Sequence, residues 1–164
     1  MKVLPLHEGE DANLQSSTTI TLSDVDSEST VSAAFAIRST NDAQFLIQVS
    51  ADWLGLNPEA YHCAVSNILF VGYGSRITVI DLENGSKQHH RAAFLFYEFV
   101  EVREFDFLVA FGELGFDIFG FDGRHIEQEY VDDVVTRWSV APGRITLATW
   151  EDDTYDFDLR SYLT

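Results

Sequence analysis

Lysine is almost missing from this sequence: Lys2 and Lys87 are the only two in 164 residues. There is one cysteine, Cys63, which excludes an internal disulfide and fits a reducing compartment. With three prolines and one methionine, neither a proline-rich linker nor a methionine-rich binding surface is on offer. No apolar run approaches the roughly 20 residues that span a bilayer, and the opening MKVLPLHEGE lacks the long apolar core of a signal peptide. A cytoplasmic protein is the expectation.

Acids fill the gap that the bases leave. Asp and Glu number 27 against 10 Lys and Arg, for a formal net charge of −17. Such a chain repels nucleic acid and anionic lipid and attracts basic partners. The alternative reading of the same charge is solubility, or a salt-loving host. Apolar residues at 46% and thirteen phenylalanines are too many for a disordered chain, and the length suffices for one domain with a core.

Residues 1–32 form a polar segment, with a strand at Thr18–Leu22 and an exposed acidic loop at Ser23–Ser29. From Ala33 onward the chain reads as β-hairpins. Phe45, Ile47 and Val49 alternate with Leu46, Gln48 and Ser50. ILFVGYG turns into RITVIDL, FVEVREF into DFLVAFG, and RITLATW into TYDFDL. Asn84-Gly85, Asp122-Gly123 and Pro142-Gly143 supply hairpin turns. Asn57-Pro58-Glu59 reads as a cap and first turn, which predicts one short helix near residues 58–65. The fold class expected is all-β, an antiparallel β-meander in a single domain over residues 1–164.

The stretch GELGFDIFGFDG (112–123) holds four glycines. A phosphate loop needs glycines between a strand and a helix, and no helix follows. The spacing predicts a hairpin with its turn at Glu113-Leu114. Phe116 and Ile118 then face one side, and Asp117, Phe119 and Phe121 the other.

The chain also echoes itself. FVGYGSRITVIDLENG (70–85) overlays LVAFGELGFDIFGFDG (108–123) at an offset of 38, matching Val71 with Val109, Gly74 with Gly112, Ile80 with Ile118 and Gly85 with Gly123. APGRITL, near Trp138, echoes YGSRITV. Strands that end in Asp-Gly turns at this spacing resemble the blades of quinoprotein-like or WD-like β-propellers. The resemblance covers about residues 66–160 and implies a partial, propeller-like stack, since closed propellers have about four to eight blades of four strands.

No catalytic constellation stands out. His89 and His90 are adjacent, so their rings point oppositely on a strand, and no zinc spacing exists. The histidines read as surface or hairpin-tip residues, and Cys63 beside His62 as a small buried residue. No cofactor and no metal are expected. Glu127, Glu129, Asp132, Asp133, and the run Glu151, Asp152, Asp153, Asp156 and Asp158 suggest an acidic face for a basic partner; a merely solvated face is the bland reading. Trp53, Trp138, Trp150, Tyr97 and Tyr130 read as core or half-core. Any two exposed beside the acids would be interface anchors.

The chain is similar in kind to bacterial immunity proteins: small, acidic, free of motifs. This resemblance implies a non-catalytic inhibitor that occludes the basic active site of a cognate toxin, such as a nuclease. The contacts expected are Asp132, Asp133, Glu151, Asp152, Asp153, Asp156 and Asp158. The alternatives are a self-assembling scaffold, in which a homodimer completes a ring, and a carboxylate glycosidase using a pair such as Asp117 and Asp122.

Overall fold

A computed structural model describes residues 1–6, 17–23, 31–50 and 57–163, and the backbone alone at residues 31 and 32. The chain is all-β. Among the described residues, fifteen strands form four sheets. The amino-terminal sheet has the order β2-β4-β3, from Thr18–Ser23, Gln44–Ser50 and Val31–Arg38. The second sheet runs β1-β5-β6-β7-β8, from Lys2–Val3, Glu59–Cys63, Ile68–Tyr73, Arg76–Asp81 and Lys87–Arg91. The third is the meander of β9 (Phe96–Val102), β10 (Phe107–Gly112), β11 (Gly115–Gly120) and β12 (His125–Tyr130). The fourth contains β13 (Val135–Ala141), β14 (Arg144–Thr149) and β15 (Thr154–Asp158). Among the described residues the pairings are antiparallel except that of β2 with β4, which run parallel; β3 lies on the other side of β4.

The sheets stack in chain order, because their central strands are apolar on both faces. Every residue of β6 is buried, and every residue of β10. Odd and even side chains serve different cores. Leu69, Val71 and Ile80 pack against Phe35, Ile47 and Val49 of the amino-terminal sheet. Phe70, Ile77 and Val79 pack against Leu108, Ala110 and Phe119 of the third sheet. Val109, Phe116 and Ile118 pack against Ile145 and Leu147 of the fourth. Among the described residues no core cluster joins the fourth sheet back to the amino-terminal one. The far face of the fourth sheet is polar, with Arg137, Ser139, Arg144, Asp156 and Asp158 exposed.

Several expectations are corrected. The helix expected near residues 58–65 is strand β5. Pro58 stands just before the first paired residue, where its missing N–H costs nothing to a ladder. Ala60 and Tyr61 then enter different cores, which is strand periodicity. Pairing with β1 and β6 overrides the local capping signal. The acidic loop expected at Ser23–Ser29 falls, beyond Ser23 itself, outside the described residues, as do His7 and Trp53.

The repeat is real between the second and third sheets, but its strands correspond at an offset of 39. Ile68 pairs with Asp81 as Phe107 pairs with Gly120, and Tyr73 with Arg76 as Gly112 with Gly115. The offset of 38 holds for the turn glycines Gly85 and Gly123, because the β11–β12 connection is one residue shorter than β7–β8. A bulge at Ile118/Phe119 restores the register. A one-residue slip exchanges faces: Val71 lies in the first core and Val109 in the third. The echo at APGRITL is not a repeat at all. RITL opens β14, the second strand of its meander, whereas RITV opens β7, which is equivalent to β11.

The turns follow expectation. Gly85, Gly123 and Gly143 have φ of 74°, 88° and 73°, and Glu113-Leu114 is the β10–β11 turn. Two single 3-10 turns, Arg103–Phe105 and Leu159–Tyr162, are the helical elements among the described residues, and none is long and apolar enough to cross a membrane.

Candidate functional site

Up-and-down strands put alternate connections at opposite ends of the stack. One end gathers the β6–β7, β10–β11 and β14–β15 turns and the linkers from sheet to sheet. These loops are hydrogen-bonded to one another rather than to solvent alone. Ala92 N–H donates to the Ser75 carbonyl (2.9 Å) and Phe96 N–H to Gly74 (2.8 Å). Glu113 and Leu114 donate to Leu95 (2.8 Å) and Ala93 (3.0 Å). Val131 donates to Leu114 (3.0 Å), Val135 to Glu113 (2.7 Å) and Trp150 to Val134 (2.9 Å). This backbone seam crosses three sheets and makes the end a preorganised platform.

Three large aromatic side chains stand out of the platform. Trp150 is 78% exposed, Tyr130 57% and Phe94 50%. Trp150 and Tyr130 thus depart from the core or half-core placement expected of them. The seam explains why: Trp150 follows the last paired residue of β14 and its backbone is held by Val134, so its side chain projects from the turn. Tyr130 ends β12, with its hydroxyl donating to Gln128 Oε1 (2.7 Å). Phe94 has φ of 71°, a region that a bulky residue occupies only when its surroundings enforce it. Trp138 and Tyr97 are half-buried as expected; Tyr97 and Phe111 flank the Trp138 indole at 5.5 and 5.3 Å, and its Nε1 donates to Glu98 (2.7 Å).

The structure divides the candidate acids in two. Asp132, Asp133, Glu151, Asp152 and Asp153 meet on the platform beside Trp150. Asp133 ties them together, accepting from the Val134 N–H (2.7 Å) and the Glu151 N–H (2.9 Å). Asp152 takes the left-handed conformation (φ 65°) that closes the turn. Asp156 and Asp158 lie elsewhere, on the outer face of the fourth sheet. Asp156 accepts from Thr146 (2.6 Å) and lies 3.5 Å from Arg144; Asp158 caps the last 3-10 turn through the Arg160 N–H (3.0 Å).

The sequence missed a buried polar network between β8, β11 and β12. Asp117 is 1% exposed. Its Oδ1 accepts from His125 Nε2 at 2.9 Å and its Oδ2 from Gln128 Nε2 at 3.1 Å. Gln128 Nε2 also reaches the Arg91 carbonyl (2.9 Å). His90 stacks on His125 with ring centroids 5.0 Å apart, and Phe119 meets both rings edge-on. His62 is buried, against the surface or hairpin-tip placement expected of the histidines, and His90 and His125 are half-buried on strands. Burial holds the His90 and His62 imidazoles below the usual range, and neighbouring His125 adds to the effect on His90. The equivalent position to Asp117 on β7 is Thr78, which bridges Tyr73 (3.1 Å) and His89 (2.9 Å). Both networks sit mid-strand and satisfy buried polar groups, which is the work of a structural staple.

This arrangement does not pair carboxylates for acid–base work. Asp117 is committed to His125 and Gln128, while Asp122 accepts the Arg124 N–H (3.1 Å) in an exposed turn. Cys63 is buried, and among the described residues no group of three or more His, Cys, Asp or Glu could hold a metal ion. No family model and no curated protein matches the chain.

Proposed function

We propose that this is a non-catalytic binding protein that docks a basic protein on the loop platform. An immunity protein or inhibitor covering the active site of a cognate toxin is the form of that function that fits best. One observation carries the reading: Trp150 and Tyr130 project from a rigid platform where Asp132, Asp133, Glu151, Asp152 and Asp153 are gathered. Exposed aromatics supply the desolvated centre of an interface, and carboxylates around them steer and orient a cationic surface. A seam of backbone hydrogen bonds lowers the ordering cost on association. Asp156 and Asp158 lie outside the platform and are left out of the contact set.

The experiment compares the tagged protein with Asp132→Lys/Glu151→Lys/Asp153→Lys and with Trp150→Ala as baits in host lysate, washed at low and then high salt. One stoichiometric basic protein on the wild type, lost from both variants, is the expected result. Equal capture by wild type and variants overturns the reading.

A further inference from the structure

The fourth sheet departs from the pattern of its neighbours at one edge. β7, β11 and β15 each stand third in a meander. β7 pairs onward with β8 and β11 with β12, while among the described residues β15 pairs with β14 alone. After Asp158 the chain turns into Leu159–Tyr162 and buries Leu159 in the core between the third and fourth sheets. Register decides which backbone groups face the open edge. Thr149 N–H donates to the Asp153 carbonyl (3.0 Å), so the hydrogen-bonded pairs of this ladder continue at Leu147 with Tyr155 and at Ile145 with Phe157. Thr154 and Asp156 therefore turn their N–H and C=O groups outward, and no hydrogen bond among the described residues meets them. The side chains repeat the contrast. Ile77 and Val79 on β7 and Phe116 and Ile118 on β11 are buried, but Tyr155 and Phe157, which face the core from β15, are half-buried.

The other edges of the second, third and fourth sheets are guarded against strand pairing. β1 is two residues long, β8 carries Lys87 and Arg91, and one residue bulges out of each of β9, β12 and β13. β15 has no bulge, no proline and no basic residue. We propose that the β15 edge takes an added antiparallel strand from the docked partner, with Lys or Arg opposite Asp156 and apolar residues on either side of it. The inference rests on the docking function proposed above, because β15 leaves the platform at Asp153 and a segment lying there continues along this edge. The residue opposite Asp156 shares its face of the sheet, where a basic side chain makes a favourable cross-strand pair. Its apolar neighbours fall on the side of Tyr155 and Phe157. Thr146 and Arg144 hold the Asp156 carboxylate from β14, with 52% of the side chain still exposed. Backbone hydrogen bonds give such a contact its affinity, and alternate side chains give it selectivity. A second copy of the chain is the wrong occupant, since a two-fold pairing of β15 with itself sets Asp156 and Asp158 among their own copies.

The test is an amide chemical-shift titration of the full chain, at low salt, with the capped peptide acetyl-Arg-Val-Lys-Val-Arg-amide. The comparison ligands are the same peptide methylated at the backbone nitrogen of its lysine, and acetyl-Glu-Val-Glu-Val-Glu-amide. Saturable shifts at residues 154–157, with slower hydrogen exchange at Thr154 and Asp156, are expected with the first peptide alone. Asp156→Asn keeps the acceptor for Thr146 and should weaken binding about threefold; Asp42→Asn should leave it unchanged. Absence of saturation overturns the added strand, and so does an equal response to the N-methyl peptide, which keeps every charge. An equal response to the Glu peptide overturns the basic partner. Shifts at the same residues on concentrating the chain alone overturn the inference in favour of a second copy. No partner protein is involved, so this test fails independently of the capture experiment. Binding of the first peptide, with capture indifferent to the acidic triple variant and to Trp150→Ala, would leave the strand-adding edge standing and remove docking on the platform.

Discussion

Trp150 and Asp117 are opposite cases of one rule, that a side chain's value follows its surroundings. Trp150 contributes little to folding because most of it already faces water. Trp150→Ala is expected to shift the melting temperature by less than a degree or two while weakening partner binding by about 2 kcal/mol or more; calorimetry of the free chain and of the complex separates the two. Asp117→Ala should do the reverse. It leaves His125 and Gln128 without their acceptor beneath two packed sheets, at a cost of about 3 kcal/mol, read by urea denaturation. His90 adds a pH dependence. Its folded pKa lies below the unfolded value, so the unfolded chain binds the extra proton. Stability is full above about pH 7 and falls as pH drops through about 6.5. His125, Asp117 and His89 face this ring; Asp117 alone opposes the trend. Melting temperatures at about pH 7.5 and 5.5 should differ less in His90→Gln than in wild type, and an unchanged difference would place the effect elsewhere, with His62 next in line. None of these roles was readable one residue at a time. Asp117 and His125 are eight apart in sequence, and only the β11–β12 register makes them partners.

Strands were more legible than residues, because alternation and turn glycines are local signals. β4, β6, β7, β10, β11, β14 and β15 all lie where the apolar pattern puts them. β5 was read as a helix, because Asn57-Pro58-Glu59 is a genuine local capping signal and the pairing that defeats it comes from Lys2–Val3 and Ile68–Tyr73. The repeat was found at the wrong offset for a related reason: glycines mark turns, and turns of unequal length slip relative to the strands between them. Gly115 tests the platform at this scale. It sits at φ 143°, and a β-carbon there would run into the Glu129 carbonyl, a backbone atom of the paired strand. Gly115→Ala is expected to cost about 3 kcal/mol and to loosen the linker after β12. Faster amide hydrogen exchange at Val131 and Val135 is the measurement that checks it.

For the whole molecule, the charge was readable from composition and its distribution was not. A net −17 says nothing of acids gathered around Trp150. It does predict kinetics. Association with a basic partner should slow steeply as salt rises, and the triple variant Asp132→Lys/Glu151→Lys/Asp153→Lys should flatten that slope by lowering the association rate more than it raises dissociation. Stopped-flow association at low and high ionic strength reads this directly. The order of the sheets, each sharing one core with the next, follows from strands apolar on both faces. The exposed aromatics follow from nothing local, since Trp and Tyr are more often buried than displayed.

The two ends of the stack differ in a way that matters at the bench. The loops of the platform are sewn together, so an insertion at any of them would pull several stitches at once. The turns of the opposite end are cross-linked as well, Leu82 N–H to the Asn67 carbonyl (3.1 Å) and Phe121 N–H to the Asp106 carbonyl (3.0 Å), but the Val65 side chain, in the turn from β5 to β6, is 98% exposed. A fluorophore, tether or fused domain attached there would report on the platform from the far side of the protein without standing in the way of anything that lands on it.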